Sequence, residues 1–207
     1  MDLILNGEAK RLDTTDCANL AELVSMAENI DTDGEESVVV SVEVDGETLS
    51  PDDLGGLERH PLDGVDRVAI QRRPTRVVAL SVLEQGADYC GRIAGAIDGC
   101  VGEFRSARSD RGNEILANVT DSLTVLTGIT HSVASILANA AEDLAAVQGE
   151  IFPWLQELVE AQAQEDPLRI ADLLEYEIKP RIENWGVVMR ALAQPRDSAQ
   201  GDVPLSS

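Results

Sequence analysis

Asn113-Glu-Ile-Leu-Ala-Asn-Val-Thr-Asp-Ser-Leu-Thr-Val-Leu-Thr-Gly-Ile-Thr-His-Ser-Val-Ala-Ser-Ile-Leu-Ala-Asn-Ala-Ala-Glu-Asp-Leu-Ala-Ala-Val147 carries the strongest periodicity in the chain. Leu116, Val119, Leu123, Leu126, Thr130, Val133, Leu137, Ala140, Leu144 and Val147 recur at alternating steps of three and four. That spacing is the seam of a helix packed nearly parallel or antiparallel to another. At 1.5 Å per residue an unbroken helix here would run about 50 Å. Val125, Ile129 and Ile136 widen the apolar face, so the spacing predicts contact with more than one neighbour.

The same pattern extends to both sides. From Arg76 to about Ser106, Val77, Leu80, Leu83, Ala87, Cys90, Ala94, Ile97, Val101 and Phe104 mark a second long helix, ended by the polar stretch Arg105–Gly112. After a disturbance at Gly149–Pro153, a shorter helix offers Trp154, Leu155, Leu158 and Val159. Asp166-Pro167 is a start signal, an N-cap acid followed by a first-turn proline. The last helix uses Ala171, Leu174, Ile178, Ile182, Trp185, Met189 and Leu192. Pro180 lies inside it, which predicts a kink. The string Leu173-Leu-Glu-Tyr-Glu-Ile-Lys-Pro180 stands out as a signature with no function attached to it, and Tyr176 and Trp185 read as core. The expectation is a bundle of about four helices, two of them long, over residues 74–194, and a flexible tail over 195–207.

One stripe on the first long helix does not fit helix propensity. Gly91, Gly95 and Gly99 follow Ala87 at steps of four, with Gly86 and Gly102 nearby. Each interior glycine costs about 1 kcal/mol relative to alanine. Close backbone approach is the usual compensation, as in small-xxx-small contacts. Packing inside the bundle or self-association through Gly91, Gly95 and Gly99 would both supply it. Asp88, Arg92 and Asp98 interrupt the helix, and no apolar run reaches the roughly 20 residues of a membrane span.

Residues 1–73 read differently. Asn6-Gly7 sits between short runs and suits a type I′ turn. Thr14-Thr15-Asp16 is an N-cap cluster before the helical spacing of Leu20, Leu23, Val24, Ala27 and Ile30. Ser37–Val44 is dense in β-branched residues, Asp45-Gly46 is a second tight turn with Glu47–Leu49 returning, and Val68 and Ile70 alternate in a last strand. This order of hairpin, helix, strand, short strand and strand resembles the β-grasp fold of ubiquitin-like proteins and sulfur carriers. Those act through a free C-terminal Gly-Gly. Here the matching point is Gln71-Arg-Arg-Pro74 and the chain runs on, so the resemblance implies a docking module and not a carrier. The fold class expected is α+β: a small β-grasp-like sheet with one helix over 1–73, then the helical bundle.

Composition and charge narrow the function. The 207 residues carry 38 acids against 16 bases, a net charge of −22. Such a chain repels phosphate backbones and anionic membranes, and steers towards basic proteins. Acidity as adaptation to a salty cytoplasm is the plainer account. Residues 72–112 depart from it with seven bases against five acids. Arg72, Arg73 and Arg76 cluster at the joint, where they could hold a partner or an anion. Arg105, Arg108 and Arg111 form a second cluster, and pairing with nearby acids accounts for either group.

Catalytic patterns are missing. Asp31–Glu36 lacks the glycine and the closing acid of a calcium loop. His60 and His131 have no metal-ligand spacing. Cys90 and Cys100 are too far apart on one helix to bridge, and Cys17 has no base nearby in sequence. No phosphate loop, dinucleotide fingerprint or nucleophile elbow occurs. The reading is a non-enzymatic, cytoplasmic adaptor or scaffold with no cofactor and no metal. It binds a protein partner or a second copy of itself as a homodimer, and takes up neither nucleic acid nor membrane. The alternative is an acidic secretion or assembly chaperone that holds a client helix. An enzyme assembled from Arg72, Arg73 or Arg76 with His131 is the weakest of the three.

Overall fold

The computed structural model describes residues 1–10, 17–30 and 36–194. The chain divides into two compact units, the first Met1–Val78 and the second beginning at Ala79.

The first unit holds five strands and two helices: β1 (Asp2–Leu5), β2 (Glu8–Lys10), α1 (Leu20–Glu28), β3 (Ser37–Val44), β4 (Glu47–Leu49), α2 (Leu54–Glu58) and β5 (Arg67–Pro74). Both predicted hairpins form. Asn6 and Gly7 take φ of 51° and 85°, and Asp45 and Gly46 take 51° and 92°. These are the left-handed pairs that a two-residue loop needs to match strand twist. Asp45 also fixes the neighbouring strand, its carboxylate accepting from the Arg67 amide at 2.8 Å.

The sheet order is β2-β1-β5-β3-β4, with β1 and β5 parallel and the other pairs antiparallel. A mixed sheet with a helix on one face is consistent with the resemblance drawn from element order. Leu3, Leu5, Val39, Val42, Val44, Val68 and Ile70 turn to one face and bury against Leu20, Leu23, Val24 and Ala27 of α1. The N-cap of α1 is Asn19, whose side chain accepts from the Glu22 amide at 3.0 Å. The capping role expected of Thr14–Asp16 therefore falls to Asn19, and residues 14–16 lie outside the described residues. So do Asp31–Gly34, beyond the end of the helix at Glu28.

The second unit is helical: α3 (Thr75–Arg105, which begins in the first unit), α4 (Ser109–Ile136), α5 (Ala141–Gly149), α6 (Phe152–Ala163), α7 (Pro167–Asp172) and α8 (Lys179–Ala193). Two of these, α3 and α4, are long, as expected. The tail expected over 195–207 lies outside the described residues.

The seam of residues 113–147 is not one helix. Leu137 leaves helical geometry with φ −105° and ψ 79°, and a 3₁₀ turn over Ala138–Ala140 leads into α5. The seam residues still bury on both sides of the break, from Leu116 to Val147. Val125 and Ile136, expected against a second neighbour, are exposed, and only Ile129 packs on the core.

Chain segments α3 and α8 run antiparallel. Asp88 pairs with Arg190 at 2.9 Å and Asp98 with Lys179 at 2.7 Å, so the partners step in opposite directions. The two helices approach closely at two glycines. A Cβ on Gly186 would lie 3.0 Å from Cys90 Cβ, and one on Gly86 would lie 2.9 Å from Met189 Sδ. Trp185, 1% exposed, is core as expected.

Pro180 lies within a continuous helical run: α7 passes through a π-helical run over Leu173–Ile178 directly into α8, and the wider turn stands just before the proline. The Lys179 amide donates to the Leu174 carbonyl, five residues back. The wider turn keeps Leu174, Ile178 and Ile182, spaced by fours, on the buried side.

Candidate interaction surfaces

The three joint arginines do not share one surface. On β5, Val68, Ile70 and Arg72 alternate inwards, so Arg72 enters the core side of the sheet and is 7% exposed. Its guanidinium donates to the Glu28 carbonyl at 2.8 Å and the Ile30 carbonyl at 3.0 Å. Its amide donates to Asn6 Oδ1 at 2.7 Å. Arg72 thus closes the C-terminal end of α1, where an arginine meets carbonyls left without helical donors. With both terminal nitrogens so engaged it is not placed to take a ligand, which corrects the expectation for this residue. Arg73 and Arg76 are exposed. The second cluster is paired throughout: Arg105 with Asp172 and Glu175, Arg108 with Glu103, and Arg111 with Glu114. The hydrogen bond from Arg108 holds the Glu103 carboxyl below its ordinary value.

Gly91, Gly95, Gly99 and Gly102 form an exposed stripe on α3, opposite its buried face. A Cβ built on any of the four meets nothing within 4 Å among the described residues. Packing inside the bundle therefore accounts for Gly86 and Gly186 but not for this stripe.

A third surface was not legible in the sequence as a site. Tyr176, on the π-helical run, is 61% exposed, which corrects its assignment to the core. Tyr176, Trp154, Leu168 and Leu173 line a groove of about 540 Å³. Asp166, Asp172, Glu177 and Arg169 rim it. The Arg181 guanidinium lies 4.6 Å from the centre of the Trp154 ring, and Arg105 lies 5.9 Å from that of Tyr176. Arg181 also donates to the Glu177 carboxylate at 3.0 Å, and Arg169 pairs with Glu157. The available signal was spacing: Tyr176 falls two residues from both Leu174 and Ile178, off the face they bury.

The remaining reactive groups are built into the fold. Burial pushes the Cys90 and Cys100 thiols up to about 11, and Cys100 donates to the Gly112 carbonyl at 3.3 Å. Cys17 is half-buried, and His131 is exposed on α4. Among the described residues no group of three or more His, Cys, Asp or Glu side chains is placed to hold a metal ion. Among the described residues no helix is long and apolar enough to cross a membrane.

No curated protein and no solved structure matches the chain. A family model described as "Domain of unknown function (DUF8042)" matches residues 81–187. The match begins within α3 and ends within α8, and so takes in the glycine stripe and the groove beside the π-helical run. It covers just over half of the 207 residues, and by that match the chain belongs to the DUF8042 family.

Proposed function

We propose that this protein is a non-enzymatic, cytoplasmic protein-binding adaptor that forms a homodimer through its helical unit. The single observation that carries the reading is the stripe of Gly91, Gly95, Gly99 and Gly102. Four glycines in one helix cost about 4 kcal/mol of helix propensity relative to alanine. Nothing among the described residues approaches them closely enough to offset that. A second copy of α3 laid along the stripe would supply the missing close contact. The β-grasp-like first unit is read as a docking module, with Arg73 and Arg76 free to meet an acidic group. The net charge of −22 supports a basic protein as the other partner, and speaks against nucleic acid.

Gly95→Leu tests this reading. The position is open, so leucine should raise the stability of the monomer by about 1 kcal/mol through helix propensity. The same side chain should abolish dimerisation. Sedimentation velocity of the full chain at about 100 μM is expected to show a dimer for the wild type and a monomer for the variant. A monomeric wild type, or a dimeric variant, removes the reading. The chaperone alternative draws on a different feature, the groove beside the π-helical run.

A further inference from the structure

We infer that the groove beside the π-helical run docks a basic amphipathic segment of a partner protein. The inference rests on the protein-binding reading, but not on the α3 stripe. Four observations point to that occupant. First, the floor is apolar and open: Leu168 is 62% exposed and Tyr176 61%, beside the half-buried Trp154 and Leu173. Large apolar side chains gathered at one exposed concavity mark interaction sites, whereas single exposed ones do not. Second, acids outnumber bases around the groove: Asp166, Asp172 and Glu177, with Glu157, Glu160 and Glu175 of the adjoining ion pairs, stand against Arg105, Arg169 and Arg181. Third, the guanidinium groups on the two rings, Arg181 over Trp154 and Arg105 over Tyr176, are each matched by carboxylates, Glu177 for the first and Asp172 and Glu175 for the second, so neither leaves an uncompensated positive charge at the groove. Fourth, Leu173 and Tyr176 of the groove lie on the π-helical run itself, and π turns recur at functional sites.

The groove is about the size of a small-ligand site, large enough for two bulky side chains. Leucine or phenylalanine side chains from one face of an incoming helix would enter between Leu168 and Tyr176. Lysines or arginines flanking them would meet the acidic rim. An acidic partner would be repelled by the rim and by the chain as a whole.

The test uses the full chain and three labelled 18-residue probes. One is an amphipathic leucine–lysine helix. The second carries glutamate in place of lysine, and the third carries serine in place of leucine at unchanged positive charge. Fluorescence anisotropy should give a dissociation constant on the order of 10 μM for the leucine–lysine probe. The other two probes should bind at least tenfold more weakly. The double variant Leu168→Ser/Tyr176→Ser changes only exposed side chains and no charge, and should weaken the leucine–lysine probe at least tenfold. In wild-type protein that probe should also slow amide exchange across 166–178. Unchanged affinity in the double variant overturns the proposal, as does equal binding of the lysine–serine probe or no binding at about 100 μM. Gly95→Leu should leave probe binding intact, so loss of the dimer and loss of the groove are read separately.

Discussion

Arg72 offers the sharpest test of how the first unit is held together. Replacing it with methionine keeps most of the apolar stem and removes the guanidinium. Two charge-assisted hydrogen bonds disappear, to the Glu28 and Ile30 carbonyls. Each is worth about 1.5–3 kcal/mol. Part of that returns, because water reaches exposed carbonyls at the helix end. The variant also removes Nε, a buried donor without a hydrogen-bond partner. The expected net loss is about 2–4 kcal/mol. A unit of this size has a total stability of roughly 4–12 kcal/mol, so the loss is a large fraction. The midpoint of its thermal unfolding should fall by about 10–20 °C. The sequence also fixes the assay. Every tryptophan, tyrosine and phenylalanine lies beyond Val78, so intrinsic fluorescence reports only the second unit. Native-state amide exchange of peptides covering 20–28 and 67–74 reports the first. A loss below about 0.5 kcal/mol at those amides would refute the assignment of Arg72 as the closure of α1.

The glycines where α3 and α8 meet should behave opposite to Gly95. Gly186→Ala places a Cβ 3.0 Å from Cys90 Cβ and 3.2 Å from the Ala87 carbonyl oxygen, and should destabilise the second unit by about 1–3 kcal/mol in urea, read by tryptophan fluorescence. No loss would mean that the two helices are not in van der Waals contact there. Alkaline stability should follow the buried thiols. Cys90 and Cys100 titrate at about 11 instead of 9.0, so their contribution is complete below pH 9 and is lost as pH rises from there through 11. The double variant Cys90→Ala/Cys100→Ala should show a shallower fall in urea midpoint over that range, and parallel curves would refute the linkage.

Much of the fold was legible because local chemistry and tertiary packing agree. Asn-Gly and Asp-Gly tolerate positive φ, so both hairpins could be read directly. The apolar spacing of α3 and α4 named their buried faces. Other features escaped because periodicity does not register them. The break at Leu137 keeps the steps Val133, Leu137, Ala140 and Leu144, and no glycine or proline marks it. Arg72 looked like part of a basic cluster because its neighbours in sequence are arginines. Strand alternation put it in line with Val68 and Ile70, and that signal outweighs composition. Of the candidate surfaces, the glycine stripe was visible as a pattern. Its exposure was not, because a helix shows the same spacing whether its small face is buried or open. The groove depends on four apolar residues spread from 154 to 176, which no local motif encodes.

Strand β1 joins the sheet by pairing in parallel with β5, near the other end of the first unit. In the second unit, α3 finds its close partner in α8, again the far end. Each unit is therefore closed by its last element. Contacts of such long sequence separation must wait for nearly the whole unit to leave the ribosome, and they slow folding through the entropy of closing a long loop. During that interval a nascent α3 displays both its apolar face and its glycine stripe. Two chains emerging side by side would meet at those surfaces before α8 arrives, so co-translational encounter is a hazard built into the same helix that the dimer would use.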